Sequence, residues 1–370
     1  MNVLLLTCHT GEGHNAVAAA IQQVMEADGT PCQTVDALGF LSESISVMVS
    51  KGHTFLYRRL PGVFRRGYRL AENHREIFEA GTPTNRLFSL GAKKLYEFCR
   101  DGGYDTIVCT HAFAALMLTM VKQNYTLEAK TAFVATDYTC SPSAEQEELD
   151  WCFIPDALLA GEFRRCGIAS DTILASGIPV RQAFFVEGDK ATAKAALGIP
   201  VDHTHLVMMC GSMGCGPMKK LAKKLSHQLT DTQQLTVICG NNKKLYKSLS
   251  RVVHGHPQVH LLGFTREIPQ LLDSADLYLT KPGGISTTEA AAKGVPMVLV
   301  DAVAGCETHN MHYFVCRGCA VAARDPHDLC ELCVSLLNNA AARQRMMEAF
   351  EGVNRQNGAQ FIYDYLRGIQ

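Results

Sequence analysis

Residues 7–21, TCHTGEGHNAVAAAI, decide how the rest of the chain is read. They continue an apolar run, Val3-Leu4-Leu5-Leu6, that predicts a first β-strand. After Gly11-Glu12-Gly13-His14 a helical pattern begins, with Val17, Ala20, Ile21, Val24 and Met25 at i, i+3 and i+4 spacing. A glycine-rich turn from strand to helix lets another molecule approach the backbone and aims N–H groups at it. The histidine after the second glycine puts a group that titrates near neutral pH at the carboxyl edge of a sheet. Open α/β folds bind their ligands there. A histidine that merely caps the helix is the simpler alternative, and this segment alone leaves both open.

The same rhythm recurs along the chain. Short apolar strands are expected at 3–7, 33–36, 106–110, 131–136 and 172–175, then at 205–210, 235–239, 259–262, 277–280, 296–300 and 319–323. Helix-length patterns follow them, as in parallel sheets covered on both faces. The alternation breaks at 177–204, where Gly177-Ile178-Pro179-Val180-Arg181 ends one series and a lone helical piece, Lys190 to Leu197, precedes the next. The expected fold class is therefore α/β, with two Rossmann-like domains. An N-terminal domain spans 1–182, a C-terminal one 183–345, and a last helix at 346–370 is expected to pack back towards the first.

Composition narrows the function. With 35 Lys+Arg against 36 Asp+Glu the formal net charge is −1, which gives no general attraction to nucleic acid. No uncharged apolar run reaches the roughly 18 residues of a membrane span; the nearest, Thr106 to Val121, contains His111. Met1-Asn2-Val3 lacks the basic start of a signal peptide. The fifteen cysteines are expected to be reduced thiols, many in the core. Cys316-x-x-Cys319 and Cys330-x-x-Cys333 have zinc-like spacing, but the second pair shares a helical pattern with Leu329, Leu332, Leu336 and Leu337. No metal is assigned.

The second half has three ligand signals. Cys210-Gly211-Ser212-Met213-Gly214-Cys215-Gly216 joins a strand to a helix and has the form of a phosphate cradle. Lys281-Pro282-Gly283-Gly284-Ile285-Ser286-Thr287-Thr288-Glu289 supplies another helix start and, one turn in, a carboxylate able to accept from two ribose hydroxyls. A first-turn acid matched to the helix dipole is the plainer alternative. Gly305-Cys306-Glu307-Thr308-His309-Asn310 collects the hydrogen-bonding groups a sugar needs.

In order and spacing these segments resemble the monogalactosyldiacylglycerol synthase and processive diacylglycerol glucosyltransferase family, inverting enzymes of the GT-B fold akin to glycosyltransferase family 28. Gly11–His14, Val134-Ala135-Thr136-Asp137-Tyr138, Gly177–Arg181, Gly211–Gly216, Lys281–Ala290 and Gly305–Asn310 carry the resemblance, which covers nearly the whole chain. It implies two Rossmann-like domains whose parallel sheets face each other across a cleft. His14 would be the general base. Gly13, Gly211, Ser212, Met213, Gly214, Gly284, Ile285, Ser286, Thr287, Glu289, Glu307, Thr308 and Asn310 would bind the donor, and Asp137 would lie on the acceptor side. The donor would be UDP-glucose or UDP-galactose and the acceptor diacylglycerol, with no cofactor. Cys306 stands where many members have glutamine, so the donor hexose stays open.

Residues 51–75 carry seven Lys/Arg and one acid, interleaved with aromatic and aliphatic residues. Arg58, Arg59, Phe64, Arg65 and Arg66 are the expected contacts with an anionic membrane surface. The expected location is therefore cytoplasmic, at the inner face of the cell membrane. Another acceptor, a UDP-sugar epimerase and a non-catalytic nucleotide-sugar-binding regulator remain as alternatives.

Overall fold

A computed structural model describes residues 1–9, 12–42, 52, 61–79, 81–211, 214, 216–300, 302 and 305–369. The chain forms two compact units. One comprises Met1–Gln182, Val303–Cys306 and Gln356–Gln370, the other Ala183–Ala302 and Glu307–Arg355.

The first unit is built on six parallel strands: β1 (Val3–Thr7), β2 (Cys32–Asp36), β3 (Thr106–Cys109), β4 (Lys130–Val134), β5 (Trp151–Ile154) and β6 (Ile173–Ala175), in the order β2-β1-β3-β4-β5-β6. Every residue of β1 is buried, because helices cover both faces. Leu4 and Leu6 join one core with Leu95, Met117 and Val121 from the helices Pro83–Gly102 and Ala112–Asn124. The helix Glu12–Ala27 lies against the C-terminal helix Gly358–Gly368. Arg367 pairs with Asp28 at 2.9 Å, and the missing side chain of Gly358 admits the backbone of Gly177.

Strand β5 is absent from the sequence reading. Its four residues, Trp-Cys-Phe-Ile, follow the acidic run Glu145–Asp150, and no helix-length pattern separates them from β4, only the short turn Ala144–Gln146. Its entry is held tertiarily: Asp150 accepts from the Thr131 amide at 2.7 Å and from Lys122 at 2.8 Å.

The second unit repeats the plan with β7 (Thr204–Met209), β8 (Gln233–Ile238), β9 (Val259–Leu262), β10 (Leu277–Thr280), β11 (Met297–Val300) and β12 (Ala320–Ala323). All pair in parallel, in the order β12-β11-β10-β7-β8-β9. Each sheet thus has one point where neighbouring strands leave for opposite sides: between β1 and β3 in the first, between β7 and β10 in the second. Open α/β sheets take ligands outside the carboxyl ends of strands at such switch points.

Candidate active site

In the first unit the turn after β1 leads into the helix Glu12–Ala27, so His14 sits in its first turn. From the end of β3 the Thr110 carbonyl oxygen lies 2.9 Å from His14 Nδ1. A carbonyl only accepts, so Nδ1 carries the proton and Nε2 the lone pair. From the end of β4 the Thr136 hydroxyl lies 3.0 Å from the same nitrogen. The Thr110 hydroxyl donates to the His14 carbonyl at 3.2 Å, which ties the helix start to β3. Nε2 has no hydrogen-bond partner among the described residues. Burial lowers the imidazole pKa below its ordinary 6.5, with the Thr110 contact acting the other way. The positive end of the helix dipole also disfavours protonation there. The ring is thus neutral at pH 7, with its basic nitrogen defined. Asp137, the expected acceptor-side residue, is half-buried and follows Thr136 directly.

The sequence reading quotes Thr136 and His111 but gives neither of them, nor Thr110, a part in orienting this ring. His111 lies edge-on to His14, with ring centroids 4.4 Å apart, and its Nδ1 accepts from the Phe113 amide at 3.0 Å to cap the helix Ala112–Asn124. A polar residue breaking the apolar run at the end of a strand was the available signal.

In the second unit the loop after β7 and the loop after β10 meet. Gly211, Gly214 and Gly216 all have positive φ (71°, 54° and 83°). A Cβ on Gly214 would come within 2.8 Å of the Cys239 carbonyl, and one on Gly211 within 3.0 Å of Lys281 Cε. Only glycine suits both demands at position 214. Asn242 holds the loop from β8, donating to the Gly214 carbonyl at 3.4 Å.

Beside it, Lys281 Nζ pairs with Glu307 Oε1 at 2.9 Å, their side chains 28% and 7% exposed. Asn310 is fully buried and donates to the Pro282 carbonyl at 3.0 Å. Glu307 and Asn310 thus brace the Lys281–Gly284 turn from the helix Cys306–Cys316. Thr287 donates back to the Gly283 carbonyl at 2.9 Å, and Ser286 is buried. The turn opens the helix Gly284–Lys293, which includes Ile285 and Glu289. Glu289 is half-buried, and its charge contributes, after burial, to raising the Tyr278 phenol. Thr308 is exposed. Among the donor-side residues the structure therefore groups Gly211, Gly214, Gly284, Glu307 and Asn310, with Lys281 as a member that the sequence reading quoted only within its motif.

Ser212, Met213, Arg58 and Arg59 lie outside the described residues, as does the side chain of Phe64. Arg65 and Arg66 are exposed on the helix Pro61–Asn73. Cys330 and Cys333 belong to the apolar core of the second unit, whereas Cys316 is exposed beside His312. Among the described residues the one group placed to share a cation is His327, Asp328 and Glu331, exposed on the start of the helix Pro326–Leu337.

Comparison with known proteins matches each half of the chain to a family. Residues 14–180 match the monogalactosyldiacylglycerol (MGDG) synthase family and residues 217–351 the glycosyl transferases group 1 family. The processive diacylglycerol beta-glucosyltransferase of Bacillus licheniformis is 28% identical over 98% of this chain and 93% of its own. The protein of that name from Bacillus subtilis is 27% identical over 98% and 94%. MurG of Acinetobacter baumannii superposes with a TM-score of 0.66 at 13% identity, over 99% of both chains. A UDP-GlcNAc 2-epimerase of Neisseria meningitidis, solved with UDP-GlcNAc, gives 0.62 at 13% over 100% of both. At such identities the two structures speak to the fold alone. The chain is thus a glycosyltransferase of the GT-B fold that matches the monogalactosyldiacylglycerol synthase family over residues 14–180 and is similar along its length to the processive diacylglycerol beta-glucosyltransferases.

Proposed function

We propose that this glycosyltransferase moves a hexose from UDP-glucose or UDP-galactose to diacylglycerol with inversion, His14 being the general base. The observation that carries this reading is the fixed tautomer of His14, which leaves a neutral Nε2 at the switch point of the first sheet. The acceptor hydroxyl oxygen attacks the anomeric carbon and its proton passes to Nε2. The bond from that carbon to the diphosphate oxygen breaks, and UDP leaves with the electron pair. General-base assistance of this kind is worth about 10²–10⁴-fold. Backbone amides of the Gly211–Gly216 loop and of the helix start at Gly284 meet the charge growing on the diphosphate. Lys281 adds a cation at the same place. This set does the work a divalent cation does elsewhere, so the reaction needs no metal. Glu289 holds the ribose, Glu307 and Asn310 shape the sugar and diphosphate side, and Asp137 lies with the acceptor.

No helix among the described residues is long and apolar enough to cross a membrane. The basic and aromatic composition of segment 51–75 supports reaching the lipid from the surface, on the cytoplasmic face of the cell membrane. The test incubates the protein with diacylglycerol vesicles and either UDP-hexose, in excess EDTA, and resolves the lipids. A β-linked hexosyl diacylglycerol is expected. A new nucleotide-sugar isomer without glycolipid would identify an epimerase instead, and UDP-hexose binding without turnover a regulator.

A further inference from the structure

A second basic surface lies in the other unit, on two neighbouring helices. The helix Met218–Ser226 buries Met218, Leu221, Ala222 and Leu225 and turns Lys219, Lys220 and Lys223 to solvent. The helix Lys243–Val252, in contact with it, exposes Lys243, Lys244, Lys247 and Arg251. With Lys224, residues 211–258 hold eight lysines and arginines against one acid, Asp231, in a chain whose formal net charge is −1. None of the eight forms an ion pair with any described residue.

Local stability does not account for this pattern. Lys219 and Lys223, Lys243 and Lys247, and Lys247 and Arg251 are like charges four apart on a helix, which repel. Nor does the donor account for it. From Lys243 to Arg251 the helix rises about 12 Å, so the charges spread over a face and do not converge on one diphosphate. A single-stranded nucleic-acid groove would interleave aromatic faces, and Tyr246 is the sole aromatic residue in the two helices. A broad array of unpaired cations on helix faces matches an anionic bilayer.

We propose that the helices Met218–Ser226 and Lys243–Val252 form an anionic-lipid docking surface on the nucleotide-binding unit, separate from segment 51–75. This rests on the reading of the acceptor as a membrane lipid. It also implies that the unit holding the water-soluble donor itself contacts the bilayer.

The test replaces Lys219→Gln, Lys223→Gln, Lys243→Gln and Lys247→Gln together in the full chain. Sedimentation is measured with vesicles of mixed phosphatidylglycerol and phosphatidylcholine and with phosphatidylcholine alone. Affinity for the anionic vesicles should fall at least tenfold, since each cation near such a surface contributes appreciably. The matching quadruple Lys→Arg protein should bind like wild type. Added salt should narrow the gap between wild type and the Gln variant. UDP affinity and transfer to detergent-dispersed short-chain diacylglycerol should not change. Equal binding of wild type and the Gln variant to anionic vesicles overturns the proposal. So does a loss of UDP affinity with vesicle binding intact, which would make the face a steering field for the donor. If wild type docks through these lysines yet transfers nothing to dispersed diacylglycerol, the acceptor reading fails and the surface stands. If it transfers normally while the lysines prove irrelevant to docking, the surface fails and the acceptor reading stands.

Discussion

Between β1 and β3 the first unit gathers side chains that titrate or donate: His14, His111, Thr110 and Thr136. Between β7 and β10 the second unit removes side chains, placing three positive-φ glycines beside one lysine–glutamate pair. In the proposed reaction the same sheet geometry serves two tasks. Moving a proton needs one nitrogen of defined tautomer and suppressed pKa, which takes several neighbours. Holding a diphosphate needs exposed amides, which takes an absence of Cβ atoms. A second histidine shows the contrast within one residue type. His205, on β7, is fully buried with both ring nitrogens engaged, by Ser274 at 2.9 Å and Thr236 at 2.8 Å, and burial lowers its pKa to about 4. It has no nitrogen left for chemistry, whereas His14 keeps Nε2.

The division of labour breaks most visibly at His14. His14→Ala should lower transfer by about 10²–10⁴-fold and leave UDP affinity, measured by calorimetry, unchanged. In wild type the acid limb of the kcat/KM profile should lie below pH 6.5, because the folded pKa is lowered and the base works as the neutral ring. An acid limb above pH 6.5 would contradict the environment described for the ring.

Next in size is Lys281→Met, which leaves the largely buried Glu307 carboxylate without its cation. Removing one partner of a buried pair costs about 3–5 kcal/mol, and somewhat less here because Lys281 is 28% exposed. Denaturant unfolding should show the loss, and adding Glu307→Gln should recover part of it. Recovery of none would mean that the lysine acts alone.

Gly214→Ala should cost about 2–3 kcal/mol, from a left-handed backbone and the 2.8 Å approach to the Cys239 carbonyl. UDP affinity should fall, while the pH profile assigned to His14 keeps its acid limb. A variant with normal stability and normal UDP affinity would show that this loop does not depend on a bare backbone.

The smallest expected effect sharpens the comparison through another glutamate. Among the described residues Glu147, in the first unit, has no lysine partner. Ser143 donates to one oxygen at 2.7 Å, the other is buried without a partner, and burial raises the pKa from 4.5 to about 7. Between those two values the unfolded chain has released a proton that the folded chain still binds. Stability therefore falls as pH rises from 4.5 to 7. Glu147→Gln should stabilise the protein by about 1–3 kcal/mol at pH 8 and by much less at pH 4.5. A gain independent of pH would refute this origin.

Eleven of the twelve strands among the described residues are legible because each is an apolar run of four or more residues or ends at a glycine or polar turn. The glycine loops are legible because positive φ selects one residue type. Strand β5 is not, since no helix-length pattern separates it from β4, only the short turn Ala144–Gln146, and its entry depends on Asp150 reaching Thr131 and Lys122. Thr110, His111 and Thr136 are also hidden, because their contacts to His14 span about a hundred residues of sequence and leave no local pattern.

Alternation of strand and helix, written in side-chain periodicity, was enough to determine two parallel α/β units and where each carries its glycine turn, because burial and backbone sterics act locally along the chain. Strand order decided the rest. Only the placing of β3 beside β1 sets the Thr110 carbonyl against His14 Nδ1, and only the placing of β10 beside β7 sets Lys281 against Gly211. A tautomer, a lowered pKa and a buried ion pair depend on distances between residues remote in sequence, and those exist only once the sheets have formed.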